Sequence, residues 1–199
     1  MLMLSIGSAV LYAVAIVMLA CLHGQDRGVH WASDPVSNHA LGAWRGVFNM
    51  YGYIGTAGAL LLLAQFASDR STQLPAVVPI AMVVLVVSRV LVLWVPTDQP
   101  GESTRSGKLH LVFAIASFAA AYTAIANATA ALAHGAPAWL AAGLASVRWL
   151  AMVSLTGVVV TMLPKLKRAF GAFERAFLFS TMLWFLLASV RMGIAARIA

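Results

Sequence analysis

The sequence predicts an all-α fold, a polytopic transmembrane bundle of six helices, and two observations carry that prediction. First, 62% of the 199 residues are apolar and only 10% are charged, whereas an ordinary soluble domain has about 25% charged residues. Second, the apolar residues fall into six stretches, each long enough to cross a bilayer. This composition excludes a disordered chain and a typical soluble domain. Because six helices use most of the chain, residues 1–199 are expected to form a single domain.

The six stretches are interpreted as helices because a helix needs roughly 20 apolar residues to cross the hydrocarbon core. Backbone groups in lipid must also bond to one another, which a helix achieves within one segment. The stretches run approximately from Leu4 to Leu22, Trp44 to Ala67, Pro75 to Val95, Gly107 to Ala133, Ala138 to Leu163 and Gly171 to Ala196. After the second stretch, turn-forming residues mark the breaks at 69–72, 96–106, 134–137 and 164–168. The longest connection, from about His23 to Ala43, is too short for a domain but long enough to fold over one end of the bundle.

The first stretch has an alternative interpretation as a cleaved signal, because Met18-Leu19-Ala20-Cys21 faintly resembles a lipoprotein cleavage site. A retained helix is favoured, since no lysine or arginine precedes the apolar run and Leu19 is large where a small residue is expected. Cys21 is the single cysteine, so an intramolecular disulfide is excluded.

Small residues in the second and fourth stretches indicate close helix packing. Gly52, Gly55 and Gly58 recur every three residues in the second stretch, and the fourth is dense in alanine. Small side chains let helix backbones approach one another. A ligand crevice is the alternative explanation, but packing is favoured, and the fourth helix is expected to lie at the centre of the bundle.

Orientation follows from the basic residues. We call the end of the bundle that carries the first, third and fifth loops end B, and the opposite end is end A. End B has eight of the 13 lysines and arginines: Arg27, Arg45, Arg105, Lys108, Lys165, Lys167, Arg168 and Arg175. End A has Arg70 and Arg197, and Arg89, Arg148 and Arg191 lie within spans. This excess of basic residues at end B predicts that end B faces the cytoplasm and that both termini lie on the outer side of a bacterial inner membrane.

The three arginines within spans need partners, because ionisable groups inside a bilayer are costly. Arg89 and Arg191 lie close enough to span ends to reach an interface. Arg148 lies ten residues into the fifth span, and no mid-membrane carboxylate is evident to pair with it. Its expected partners are backbone carbonyls, Asn127 or Thr123 on the fourth helix, or an anionic ligand. Arg148 is therefore either a structural arginine or part of an anion-binding site.

End B also collects the histidines and acids of the first loop, namely His23, Asp26, His30, Asp34 and His39, together with Asp98, Glu102 and His110. Three or four such ligands could hold zinc with a water left for hydrolysis. However, their spacing matches no compact zinc motif, and solvated loop side chains are favoured. His30, His39 and Asp34 are therefore only weak metal candidates. The sequence identifies no cofactor: no lysine lies deep in a span, and no facing histidines occur at the depth a buried haem requires.

The segment Val95-Pro96-Thr97-Asp98-Gln99-Pro100-Gly101 followed by Gly107-Lys108-Leu109-His110 resembles the signature of a bacterial membrane family catalogued as domain of unknown function 998. Gly171-Ala172-Phe173-Glu174-Arg175 resembles the start of that family's last helix, and Ser37 to Gly42 is a looser match to its first loop. The resemblance covers nearly the whole chain and implies six spans, but no activity. It directs attention to Asp98, His110, Glu174 and Arg175 as one group at end B. That group is either a structural rim of helix caps and cross-links or a lipid headgroup site. In a headgroup site, Arg89, His110 and Arg175 would hold the phosphate and Asp98 would act as the base.

These observations predict an integral membrane protein that binds a lipid or another anionic amphiphile between its helices, for lipid handling, sensing or transport. One alternative is a metal-assisted hydrolase or transferase with an Asp/His site at the loop rim, and another is an accessory subunit of a larger membrane complex. The candidate catalytic residues are Asp98 and His110. The candidate anion-binding residues are Arg89, Arg148, Glu174, Arg175 and Asn127. The expected partners are membrane lipids, a small amphiphilic ligand and a homo- or hetero-oligomer; no nucleic acid is expected.

Overall fold

The computed structural model describes residues 1–69, 72–99 and 101–198. They form six long helices: α1 (Leu2–Gln25), α2 (Arg45–Ser68), α3 (Val77–Trp94), α4 (Arg105–Ala133), α5 (Ala138–Thr161) and α6 (Phe170–Ile198). Two short 3₁₀ helices, Val36–Leu41 and Pro164–Ala169, lie in the first and fifth loops. All six long helices are long and apolar enough to cross a membrane, so the predicted fold class and the six spans are confirmed. Arg70, Ser71 and Pro100, which the sequence analysis placed in loops, lie outside the described residues.

The six helices close into a ring in chain order. Each helix packs against the next one along the chain, and α6 returns to pack against α1. Because every connection joins neighbouring antiparallel helices, the first, third and fifth loops meet at end B. The ring therefore positions the first loop, the Pro-Thr-Asp loop and the start of α6 against one another.

Helix α6 is the most buried of the six spans, and the expectation that α4 would be the central helix is wrong. Within the apolar window of α6, 61% of residues are buried, against 33% for α4. The helix also contacts α1, α2, α4 and α5. The reason is size: Phe177, Trp184 and Phe185 of α6 are almost completely buried and fill the middle of the ring. The alanines of α4 instead form one close-packed face, with Ala124 and Ala128 fully buried.

Polar side chains join the helices inside the apolar core. The Ser8 hydroxyl lies 3.0 Å from the Gly58 carbonyl and 2.8 Å from the Ser189 hydroxyl, which links α1 to α2 and α6. The Trp184 indole N–H donates to the Thr129 hydroxyl at 3.1 Å, which links α6 to α4. Lipid tails are as apolar as the helix surfaces, so apolar burial alone does not fix how neighbouring helices align in a membrane. Hydrogen bonds of this kind hold those helices in register.

Candidate functional site

A cavity of about 250 Å³ lies between the helices near end B. Helices α2 to α6 and the first loop all contribute to it. Its polar lining residues are Ser37, Tyr51, Arg89, Thr97, Asp98, His110, Ser117 and Glu174. The other walls are apolar and include Phe48, Val92, Leu93, Phe118, Val158 and Leu178. The cavity is thus amphipathic, and it contains Arg89, Asp98, His110 and Glu174 of the candidate site residues.

The position of Arg89 depends on the glycines of α2. A Cβ atom on residue 55 would lie 3.0 Å from the Arg89 Nη1 atom, so the absence of a side chain there makes room for the guanidinium. One turn earlier, a Cβ on residue 52 would overlap the Leu93 side chain. Gly58 faces the other way, with Tyr12 of α1 occupying the space next to it. The glycine pattern therefore serves packing and, at residue 55, places a cation beside the cavity.

Arg89 is half-buried, and it forms no hydrogen bond or ion pair with any group in the described part of the chain. An arginine inside an apolar bundle is costly unless its charge is compensated. Because Arg89 borders the cavity, water or an anionic group in the cavity can compensate its charge.

Glu174 connects the cavity to the first loop. Its carboxylate accepts the Val36 backbone N–H at 2.7 Å, and only 8% of the residue is exposed. Glu174 and Arg89 both line the cavity without pairing with each other, since the sole ion pair among the described residues joins His39 and Asp26. The cavity therefore offers a cation and a carboxylate that remain available to a third group.

Arg175 points away from the cavity, although it follows Glu174 directly. Its Nη1 atom donates to the carbonyl of Asp34 at 2.7 Å and to that of Gly171 at 3.0 Å. A Cβ on residue 171 would lie 2.5 Å from the Asp34 carbonyl oxygen, so glycine is required where the first loop crosses α6. The Ala172 N–H also donates to the Ala32 carbonyl at 3.0 Å. Arg175 thus clamps the first loop onto α6, which matches the structural alternative for this residue.

His110 is buried, and its ring orientation is set by the backbone. The Nδ1–H donates to the Val95 carbonyl at 2.8 Å, which connects the start of α4 to the end of α3. When the imidazole is neutral, this bond leaves Nε2 as a hydrogen-bond acceptor. His110 therefore bonds to the carbonyl at the end of α3 and not to Asp98.

Asp98 organises the third loop instead. Its carboxylate accepts the Thr104 backbone N–H at 3.2 Å and the Thr104 hydroxyl. Thr104 in turn caps α4, because its hydroxyl oxygen accepts the Gly107 N–H at 3.0 Å. A side chain on residue 107 would overlap the Asp98 carboxylate. The Pro-Thr-Asp and Gly-x-x-His motifs are therefore two halves of one helix cap, and Asp98 contributes one edge of the cavity.

His30 and His39 hydrogen-bond to neighbouring groups of the first loop, and the rings of His23 and His39 lie against each other with centroids 5.4 Å apart. The His39 Nδ1–H donates to the Asp26 carboxylate at 2.7 Å, and the His39 side chain is fully buried. The Asp34 carboxylate accepts the His30 N–H at 2.9 Å. Across residues 1–69, 72–99 and 101–198, no three His, Cys, Asp or Glu side chains lie together as a metal site would require. Of the weak metal candidates, His30 and Asp34 thus share one local network, and His39 belongs to another with Asp26.

Arg148 and Asn127, two further anion-binding candidates, lie outside the cavity lining. The Asn127 side-chain amide donates to the Thr123 carbonyl on its own helix at 2.8 Å. The expected bond between Asn127 and Arg148 is not formed. Conversely, the cavity includes Phe48, Tyr51 and Ser117, which carry no sequence signal because each is an ordinary core residue of its helix.

A closed ring of six apolar spans with an amphipathic cavity at one end defines the class: an integral, polytopic, all-α membrane protein. The chain matches the family model described as a protein of unknown function, DUF998, over residues 5–191. Because that match spans nearly the whole chain, the protein belongs to this family, as its motifs at end B indicated. No curated protein and no solved structure matches the chain.

Proposed function

We propose that this protein binds an anionic amphiphile in the cavity at end B, with the charged head at Arg89 and the apolar tail directed toward the lipid. The observation that carries the proposal is the guanidinium of Arg89, which has no protein partner within the described residues and borders an amphipathic cavity. A planar guanidinium fork matches the oxygens of a phosphate or carboxylate. The role is therefore lipid handling, sensing or transport.

The shape of the cavity supports this pairing of head and tail. Its volume of about 250 Å³ is slightly below that of typical small-ligand sites, which begin at about 300 Å³, and this suits a head group and the first part of one chain. The lining residues Leu111, Ile115 and Met162 are 46%, 50% and 45% exposed on the outer surface of the bundle. They form a lateral opening between α4 and the end of α5, through which a tail reaches the bilayer.

Glu174 restricts the head group further. One of its oxygens accepts the Val36 N–H, and Glu174 lines the same cavity as Arg89. A head that presents a hydroxyl donor next to its anionic group satisfies both Arg89 and Glu174. A head with negative charge alone satisfies Arg89 but places its charge near a carboxylate.

Binding is tested with dodecyl phosphate as the probe, added to the full-length protein in dodecyl maltoside micelles and followed by calorimetry. Dodecyl phosphate is expected to bind more tightly than dodecyltrimethylammonium, which has the same tail. Arg89→Gln should weaken dodecyl phosphate binding by about tenfold or more, because a charge-assisted hydrogen bond contributes roughly 1.5–3 kcal/mol. Arg45→Gln is the matched control, since Arg45 is exposed and outside the cavity lining.

Equal binding of the two probes, or an Arg89→Gln variant that binds dodecyl phosphate like the Arg45→Gln control, would contradict the proposal. Retained helix content and a monodisperse elution profile show that the variants remain folded. The same samples test the enzyme alternative, which the fixed orientation of His110 supports. Release of inorganic phosphate that stops in a His110→Gln variant would favour a hydrolase over a binding protein.

A further inference from the structure

Arg148 is a charged side chain at the middle of a membrane span, and it has no partner in the described part of the chain. It is the eleventh residue of α5, and at 1.5 Å per residue it lies about 15 Å from the start of the helix. The side chain is half-buried at the outer surface of the bundle. It makes no hydrogen bond or ion pair with residues 1–69, 72–99 or 101–198.

The other two arginines within spans are accounted for by the structure. Arg89 borders the cavity. Arg191 donates through Nε and Nη2 to the carbonyls of Leu132 and His134 at 2.9 and 3.0 Å. Arg148 neither borders the cavity nor donates to a carbonyl of the described residues, and the side-chain amide of Asn127 on α4 donates to a carbonyl of its own helix. The compensating group for Arg148 must therefore come from outside the described chain.

Lipid headgroups are too far away to supply it. The midplane of a bilayer lies about 15 Å from either edge of the hydrocarbon core, which is farther than an arginine side chain extends. A second copy of the chain cannot supply a carboxylate at that depth either. Five of its six acidic residues lie outside the helices, and the sixth, Glu174, is buried inside the bundle.

The surface beside Arg148 suits a helix as the partner. Ala145 and Ala141 precede Arg148 on the same face of α5, by three and seven residues, and Ala145 is exposed. Small residues at such spacings let another helix approach closely, so that a polar pair between the helices is removed from lipid.

We propose that this face of α5, formed by Ala141, Ala145 and Arg148, is the docking surface for a transmembrane helix of a different protein that carries a carboxylate near mid-membrane. Charge complementarity specifies the partner: an intramembrane aspartate or glutamate compensates Arg148 where neither lipid nor a second copy can. The proposal is independent of the cavity, because Arg148 is not among the cavity lining residues.

The probes are oligoleucine transmembrane peptides with a single central Glu or a single central Gln, reconstituted with the protein in phosphatidylcholine vesicles. Energy transfer reports association, with the protein labelled at Cys21, its single cysteine, which is exposed. The wild type should bind the Glu peptide about tenfold or more tightly than the Gln peptide. Arg148→Gln should abolish this preference, Arg148→Lys should retain it, and Arg197→Gln, at the end of α6, should leave it unchanged.

A charge swap keeps the test decisive if a neutral variant misfolds. Arg148→Glu should prefer a peptide with a central Arg over the Glu peptide. Equal binding of the Glu and Gln peptides by the wild type would overturn the proposal. A preference for Glu that persists in Arg148→Gln would overturn it as well. So would self-association of the protein, without any peptide, that depends on Arg148, because that result identifies a second copy as the occupant.

Discussion

The crossing of the first loop over α6 predicts a specific effect for Gly171→Ala. A Cβ at this position would lie 2.5 Å from the Asp34 carbonyl oxygen and 2.6 Å from the Arg175 Nη1 atom, whereas ordinary contacts begin at 3.4 Å. The loop must therefore retreat by about 0.9 Å, which is the difference between 2.5 Å and 3.4 Å. The bond from Arg175 to the Asp34 carbonyl, now 2.7 Å, then lengthens to roughly 3.6 Å, beyond hydrogen-bonding distance.

The energetic cost follows from the bonds that are lost. A charge-assisted hydrogen bond contributes about 1.5–3 kcal/mol, and the neutral backbone bond beside it, from Ala172 to Ala32, contributes about 0.5–1.5 kcal/mol. Replacing glycine by alanine in a helix returns at most about 1 kcal/mol. The substitution should therefore lower the free energy of opening the first loop by roughly 1–3 kcal/mol, while the six helices remain assembled.

Hydrogen exchange of the first-loop amides in nanodiscs measures this opening, and Gly143→Ala is the matched control. At residue 143 the nearest atom to an added Cβ is the Leu187 Cδ1 at 3.4 Å, an ordinary contact. Gly171→Ala should therefore exchange its loop amides about fivefold or more faster than Gly143→Ala. If the two variants protect these amides equally, the loop does not depend on the close approach at residue 171, and the reasoning is refuted.

Two further variants test the helix ends. Arg191→Gln removes two bonds to carbonyls at the end of α4, at 2.9 and 3.0 Å. This substitution should lower the free energy of unfolding by about 1–3 kcal/mol. An unfolding curve in detergent that coincides with that of Arg45→Gln, a variant at an exposed site, would contradict this role. Thr104→Ala removes the cap of α4 and a donor to Asp98, and should cost about 0.5–2 kcal/mol. Thr104→Ser keeps both bonds and should unfold like the wild type; equal losses from alanine and serine would show that the hydroxyl contributes nothing.

The candidate site was predictable to different degrees at different residues. Arg89 could be named because a charge within a span needs a reason whatever the fold, and Glu174 because its segment resembles the start of the family's last helix. Their meeting in one cavity could not be predicted, since it depends on a tertiary arrangement that places α3, α6 and the first loop around the same space. For Asp98 and His110 the sequence indicated a shared location and the structure assigned different partners to each.

The sequence alone predicts the six spans and their approximate ends, because hydrocarbon thickness and backbone hydrogen bonding require each apolar stretch to be a helix. It also determined that end B carries the polar chemistry, since alternating spans place odd-numbered loops together. Which charges find a protein partner depends on the three-dimensional packing of the helices. Successive residues on a helix point in directions about 100° apart, so Glu174 faces the cavity while Arg175 clamps the first loop. In the same way, rotation of α5 about its axis leaves Arg148 at the outer surface, and no local pattern of residues encodes that rotation.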